Sequence, residues 1–150
     1  MKQLLSLLLL ICLVLVGCKS QDSASKSSKK TEIALESTKW VLEKLNGDPV
    51  NLSMSELEMP FIKLNASEGT INGNSGCNSF GGKYLLSDKK TIQISQIIAT
   101  LRHCEDLGIE SVFMSNLKKA KTFKVSKKEL TFKDDNGYVL LTFVPDRENQ

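Results

Sequence analysis

His103 is the one histidine in this chain of 150 residues, and that scarcity removes most catalytic and metal templates at once. A Ser, His and Asp triad would have to be assembled around a single imidazole, and no G-x-S-x-G elbow is present to raise a serine nucleophile. Cys77 and His103 offer a thiolate pair in principle. Cys104 follows that histidine directly, however, and is the more natural oxidation partner for the thiol outside the cytoplasm. Zinc held by Cys77, His103 and Cys104 lacks an evident fourth ligand, and two of those three are adjacent in sequence. The glycine-rich stretch does not end in Gly-Lys-Ser or Gly-Lys-Thr before a helix, so it is not a phosphate loop. No catalytic residue, cofactor or metal is expected.

Also lacking is an apolar run long enough to cross a bilayer comfortably. The longest, Leu4 to Val16 broken by Ser6 and preceded by Lys2, has the layout of a secretory signal. It ends in Leu15-Val16-Gly17-Cys18, which resembles the bacterial lipobox. That resemblance implies removal of residues 1–17, diacylglycerol on the Cys18 thiol and an acylated new amino end. Acyl chains contribute roughly 0.8 kcal/mol per buried methylene, so the first expected partner is the membrane, reached through an N-terminal lipid. Lys19 stands where an Asp retains enteric-type lipoproteins in the inner membrane, which implies the outer membrane, facing the periplasm. The alternatives are an ordinary signal with a coincidental cysteine, or an uncleaved anchor.

A basic excess is missing from the part that can fold. From residue 33 onward there are fifteen Lys and Arg and fifteen Asp and Glu, so the net +3 resides in Lys2 and the tether. A near-neutral domain behind a secretory signal is not expected to bind nucleic acid. The tether contains SQDSASKSSKK over 20–30, too polar to repay the entropy of ordering. The expected organisation is therefore a signal over 1–17, a lipidated flexible tether over 18–36 and one folded domain over 37–146. Its cysteines are Cys77 and Cys104, with about 26 residues between them. They form either a disulfide, favoured by compartment and by even number, or two buried thiols.

Within the domain, alternation predicts a strand over 38–45 with Trp40, Leu42 and the Lys44 stem on one face, broken by Asn46-Gly47-Asp48-Pro49. Short strands follow at 61–64 and 69–73. Residues 73–82 are dense in Gly and Asn and read as a bulge or tight crossover. Strand pairing resumes at 83–86 and 91–100, with Ile92, Ile94 and Gln96 alternating against Thr91, Gln93, Ser95 and Ile97. The period then changes. Leu107, Ile109, Val112, Phe113, Leu117 and Ala120 predict a helix over 106–120, acidic early and basic late. Strands at 122–125, 129–133 and 138–144 close the chain, the last two joined by the hairpin turn Asp134-Asp135-Asn136-Gly137. The expected fold class is α+β: a strongly curled antiparallel β-sheet or open barrel with one covering α-helix.

Three motifs in this order carry a family resemblance. They are Trp40-x-Leu42-x-x-Leu45-Asn46-Gly47-x-Pro49-Val50, then GCNSFGGKY from Gly76, then Thr100-x-x-x-Cys104 ahead of a helix. Together with the closing pair ELTFKDDNGYVLLTF they resemble the META domain family, which includes the heat-shock protein HslJ. The resemblance covers Trp40 to Val144 and implies a small curled sheet in an envelope lipoprotein linked to stress responses, without an established reaction. Leu101-Arg102-His103 departs from the family pattern. Two functions follow as expectations. One is a non-catalytic binding or interaction module for another envelope protein, peptidoglycan or a small ligand. The other is an inhibitor-like domain that blocks a protease or cell-wall hydrolase. An exposed rigid ridge built from Asn74, Ser75, Asn78, Arg102 and His103 would favour the inhibitor, and a deep apolar cavity would favour a ligand.

Overall fold

The structure, a computed structural model, describes residues 35–36, 38–52, 57–104 and 108–146. The expected signal, Cys18 and the tether as far as residue 34 lie outside the described residues, as does the expected helix start at Asp106. Among the described residues nine strands and a 12-residue helix follow one another: β1 Trp40–Leu45, β2 Asp48–Pro49, β3 Phe61–Asn65, β4 Thr70–Asn74, β5 Ser79–Leu86, β6 Ile92–Ala99, α1 Gly108–Lys119, β7 Thr122–Val125, β8 Leu130–Lys133 and β9 Val139–Pro145. All pair antiparallel in one sheet of order β6-β5-β4-β3-β1-β9-β8-β7, with β2 attached to β1. The sheet curls until its outer strands touch, through a Thr91–Thr122 bridge. The Ile92 N–H donates to the Lys121 carbonyl at 2.9 Å, and the Phe123 N–H to the Lys90 carbonyl at 2.7 Å. The described residues form the expected α+β class, a strongly curled antiparallel sheet with a covering helix.

Alternating side chains fill the inside of the curl. Trp40, Leu42, Ile62, Ile71, Leu130, Phe132, Leu141 and Phe143 are at most 1% exposed. Phe113 of α1 enters this core with its ring 6.0 Å from Phe80 and 6.2 Å, edge-on, from Phe143. Burying such a side chain stabilises by about 1.5–3 kcal/mol, which is why a 12-residue helix that would be marginal alone persists here. Asn116, also buried, donates from Nδ2 to Asn46 Oδ1 at 2.6 Å and to the Leu140 carbonyl at 3.1 Å, fixing α1 against the β1–β2 turn and β9.

Several elements differ from expectation for local backbone reasons. Asp48-Pro49 does not simply break the chain. Asn46 and Gly47 both take positive φ (53° and 93°) and make a two-residue hairpin turn that returns Asp48 and Pro49 against β1. A bulge between Leu42 and Lys44 shifts the phase of β1, so Leu45 rather than the Lys44 stem packs against the core. Gln96, at φ 52°, does the same in β6. Ile97 and Ala99 turn to the core in its place, and Ile98 is left 77% exposed. Strand β5 begins at Ser79 instead of residue 83, because Gly81 and Gly82 continue the ladder to β4. The folded unit also reaches behind residue 37. Leu35 is fully buried, its carbonyl accepts the Trp40 indole N–H at 2.9 Å, and the Glu36 carboxylate accepts the Tyr84 hydroxyl. Burial first, then that hydrogen bond and the Glu36 charge, push the Tyr84 phenol well above its usual range.

Candidate functional site

The loop joining β4 to β5 spans only residues 75–78, because Asn74 pairs directly with Ser79. Its tightness rests on Gly76, whose φ of 112° suits a residue without Cβ, and on the Asn74 side chain, whose Oδ1 accepts the Gly76 N–H at 2.7 Å. The Ser75 N–H donates to the Asn78 carbonyl at 2.8 Å and completes the turn.

Asn78 is the hub of a buried network. Its Oδ1 accepts the Thr100 hydroxyl at 2.8 Å and the Arg102 N–H at 2.7 Å. Its Nδ2 donates to Glu110 Oε2 at 3.1 Å and to the Arg102 carbonyl at 3.4 Å. The second Glu110 oxygen, Oε1, lies 2.6 Å from the Ser75 hydroxyl, which is itself 2.8 Å from the Asn78 carbonyl. Glu110 sits in the first turn of α1, where the helix dipole favours its charge, and it ties the helix to the loop. A disulfide between Cys77 and Cys104, with Cα atoms 6.2 Å apart, closes the other side. Of the two states left open for these cysteines, the bonded one is present.

These bonds hold residues 98–103 as a ridge above the network. At its crest Leu101 is 99% exposed. Arg102 and His103 are exposed beside it. An open cleft of about 430 Å³ lies between ridge and helix, bordered by Thr100, Leu101, His103, Glu110 and Ser111. The expected loop residues therefore divide into two layers. Asn74, Ser75 and Asn78 are 8%, 0% and 6% exposed and form the support, while Arg102 and His103 reach the surface. Sequence reasoning missed Glu110 as part of this site, having read it only as a dipole-compensating acid. Leu101 and Ile98, two of the exposed apolar residues, were missed as well. Among the described residues, no three of His, Cys, Asp and Glu gather as a metal would require.

Asn78→Asp tests the hub. The change replaces the donor to Glu110 with a second carboxylate at close range, so we expect a loss of about 2–3 kcal/mol at neutral pH. Urea denaturation checks this, and an unchanged midpoint would contradict the hub role.

The META domain family matches residues 33–147. Among solved structures, a protein from Burkholderia xenovorans determined by NMR is similar at 25% identity with a TM-score of 0.62, over 87% of this chain and 99% of that one. A second NMR structure matches at 21% identity and a TM-score of 0.57, over 79% and 93% of the two chains. The 1.00 Å crystal structure of a DUF4847 family protein from Bacteroides vulgatus matches at 16% identity and a TM-score of 0.56, covering 73% of this chain and 93% of that one. These last two likenesses concern the fold alone. No curated protein matches the chain.

Proposed function

The chain belongs to the META domain family, and from that premise and the ridge geometry we propose a non-catalytic binding module of the bacterial envelope, acting in the response to envelope stress. It is held by lipid on Cys18 at the outer membrane, facing the periplasm, and contacts another envelope protein through residues 98–103. The observation that carries this reading is Leu101, 99% exposed on a backbone whose next residue is bonded to Asn78 through both N–H and carbonyl. An apolar side chain held in water at a fixed position gains on contact, and a locked backbone has little conformational entropy left to lose. The non-catalytic part is supported by Ser75, Asn78 and Glu110, whose polar atoms are taken up by hydrogen bonds to one another and to backbone. No cofactor is proposed.

Burial of a leucine is worth about 1.5–3 kcal/mol, so Leu101→Asp is expected to weaken a partner complex captured by cross-linking in membranes by about tenfold or more. The same variant should stay in the membrane fraction, while Cys18→Ala should leave it. A complex recovered in equal yield from Leu101→Asp and Ile98→Asp would contradict the ridge.

The inhibitor reading is favoured by one specific feature. Thr100 and Arg102 both bond to Asn78, and Leu101 stands fully exposed between them. A loop of that kind can enter a hydrolase cleft without rearranging. Inhibition of a purified protease or wall hydrolase by the wild type and not by Leu101→Asp would select it.

A further inference from the structure

The seam that closes the sheet is short, and beyond it the chain opens around a second cleft, of about 440 Å³. Its walls carry Lys89 and Lys90 from the β5–β6 turn, Lys124 from β7 and Lys133 from β8, with Thr122 and the buried Phe123 between them. We propose that this lysine cleft binds a phosphate-bearing anion. The site is separate from the ridge and does not depend on it.

Charge placement carries the argument. The folded part is neutral as a whole, yet between residues 118 and 133 there are seven lysines and a single acid, Glu129. None of the four cleft ammonium groups has an ion-pair partner among the described residues, where the ion pair present joins Lys39 to Asp146. The nearby acids are engaged in turns. Asp88 accepts the N–H groups of Lys90 and Thr91, both at 2.7 Å, and the Thr91 hydroxyl at 3.0 Å. Asp134 accepts the N–H groups of Asn136 at 3.0 Å and Tyr138 at 2.8 Å. These two acids, Asp88 beside Lys90 and Asp134 next to Lys133, offset part of the lysine charge, and four lysines line the cleft against them.

Geometry adds to charge. The Phe123 N–H to Lys90 carbonyl bond fixes the two walls relative to each other, so the lysines are brought together by the fold and not merely by a flexible run. Four lysines line one cleft, and a multivalent anion placed there meets several of them at once, where a single carboxylate meets fewer. Phosphate supplies up to two charges and several acceptor oxygens, and a cleft of this size admits a diphosphate or a phosphorylated headgroup. The phosphate could belong to a membrane lipid or to a soluble compound.

The test is an amide-shift titration of the full chain in neutral detergent at low salt. The probes are inorganic pyrophosphate, short-chain phosphatidylglycerol and, as a zwitterionic control, short-chain phosphatidylcholine. We expect saturable shifts at Lys90, Thr122 and Lys124, weakening as salt is raised. Saturation by phosphatidylglycerol alone assigns a lipid source, and saturation by pyrophosphate assigns a soluble one. Either result supports the site. Lys90→Glu with Lys124→Glu should weaken binding about tenfold or more, whereas Lys118→Glu with Lys119→Glu should not. If the first pair disturbs folding, Lys124→Gln with Lys133→Gln serves, with a loss of about threefold or more. Absence of saturable shifts with both anions, or equal affinity in the cleft variants, overturns the proposal. Either result would leave these lysines as charges that guard an edge strand against pairing.

Discussion

Gly73→Ala should cost the fold about 3 kcal/mol or more, among the larger effects of any single methyl group in this chain. A Cβ at Gly73 would stand 1.9 Å from the Phe61 carbonyl oxygen and 3.1 Å from Phe80 Cε1. The first obstacle is backbone of the neighbouring strand, so no rotamer change relieves it. Gly73 pairs with Ile62 on β3 and with Phe80 on β5, and the substitution therefore pushes apart two adjacent ladders of the core. Trp40, paired with Ile62, reports the disturbance through its near-UV signal. Gly81→Ala is the control, because a Cβ there meets nothing within 4 Å. Denaturation midpoints that are alike for the two variants would contradict the close approach of β3 to β4.

Removing the disulfide, by Cys77→Ser with Cys104→Ser, should lower stability by about 3.5 kcal/mol and the melting temperature by on the order of 10 °C. The bond closes a loop of sequence separation 27 that contains β5, β6 and the ridge. Its loss frees that loop in the unfolded chain and unties one end of the ridge in the folded one. The oxidised wild type should show no alkylatable thiol at either position. A melting temperature within a degree or two of wild type in the double variant would remove the bond from this account.

The alternation of Trp40 with Leu42, and of Ile92 with Ile94, made the strands legible, and Asp134-Asp135-Asn136-Gly137 made the final hairpin so. What stayed hidden depends on single backbone angles or on distant partners. Nothing in Gln96 announces a left-handed φ, yet that residue sends Ile97 inward and Ile98 outward. The Asn and Ser residues of the glycine-rich loop resemble a solvated turn, since small polar residues ordinarily face water. Ser75 and Asn78 are buried, and Glu110 meets them from 35 and 32 positions downstream. That pairing is created by the packing of α1 and has no local signature. The basic end of the helix was visible as charge, but the seam that brings Lys124 and Lys133 beside Lys89 and Lys90 arises only when the sheet curls.

The claim that a buried polar network holds the ridge ready for contact is tested most directly by hydrogen exchange at the Arg102 amide. That N–H donates to Asn78 Oδ1 at 2.7 Å from an otherwise exposed residue. Protection there comparable to the amides of β5, lost in Asn78→Ala, is the expected result. Exchange at the rate of an unstructured chain in the oxidised wild type would contradict it.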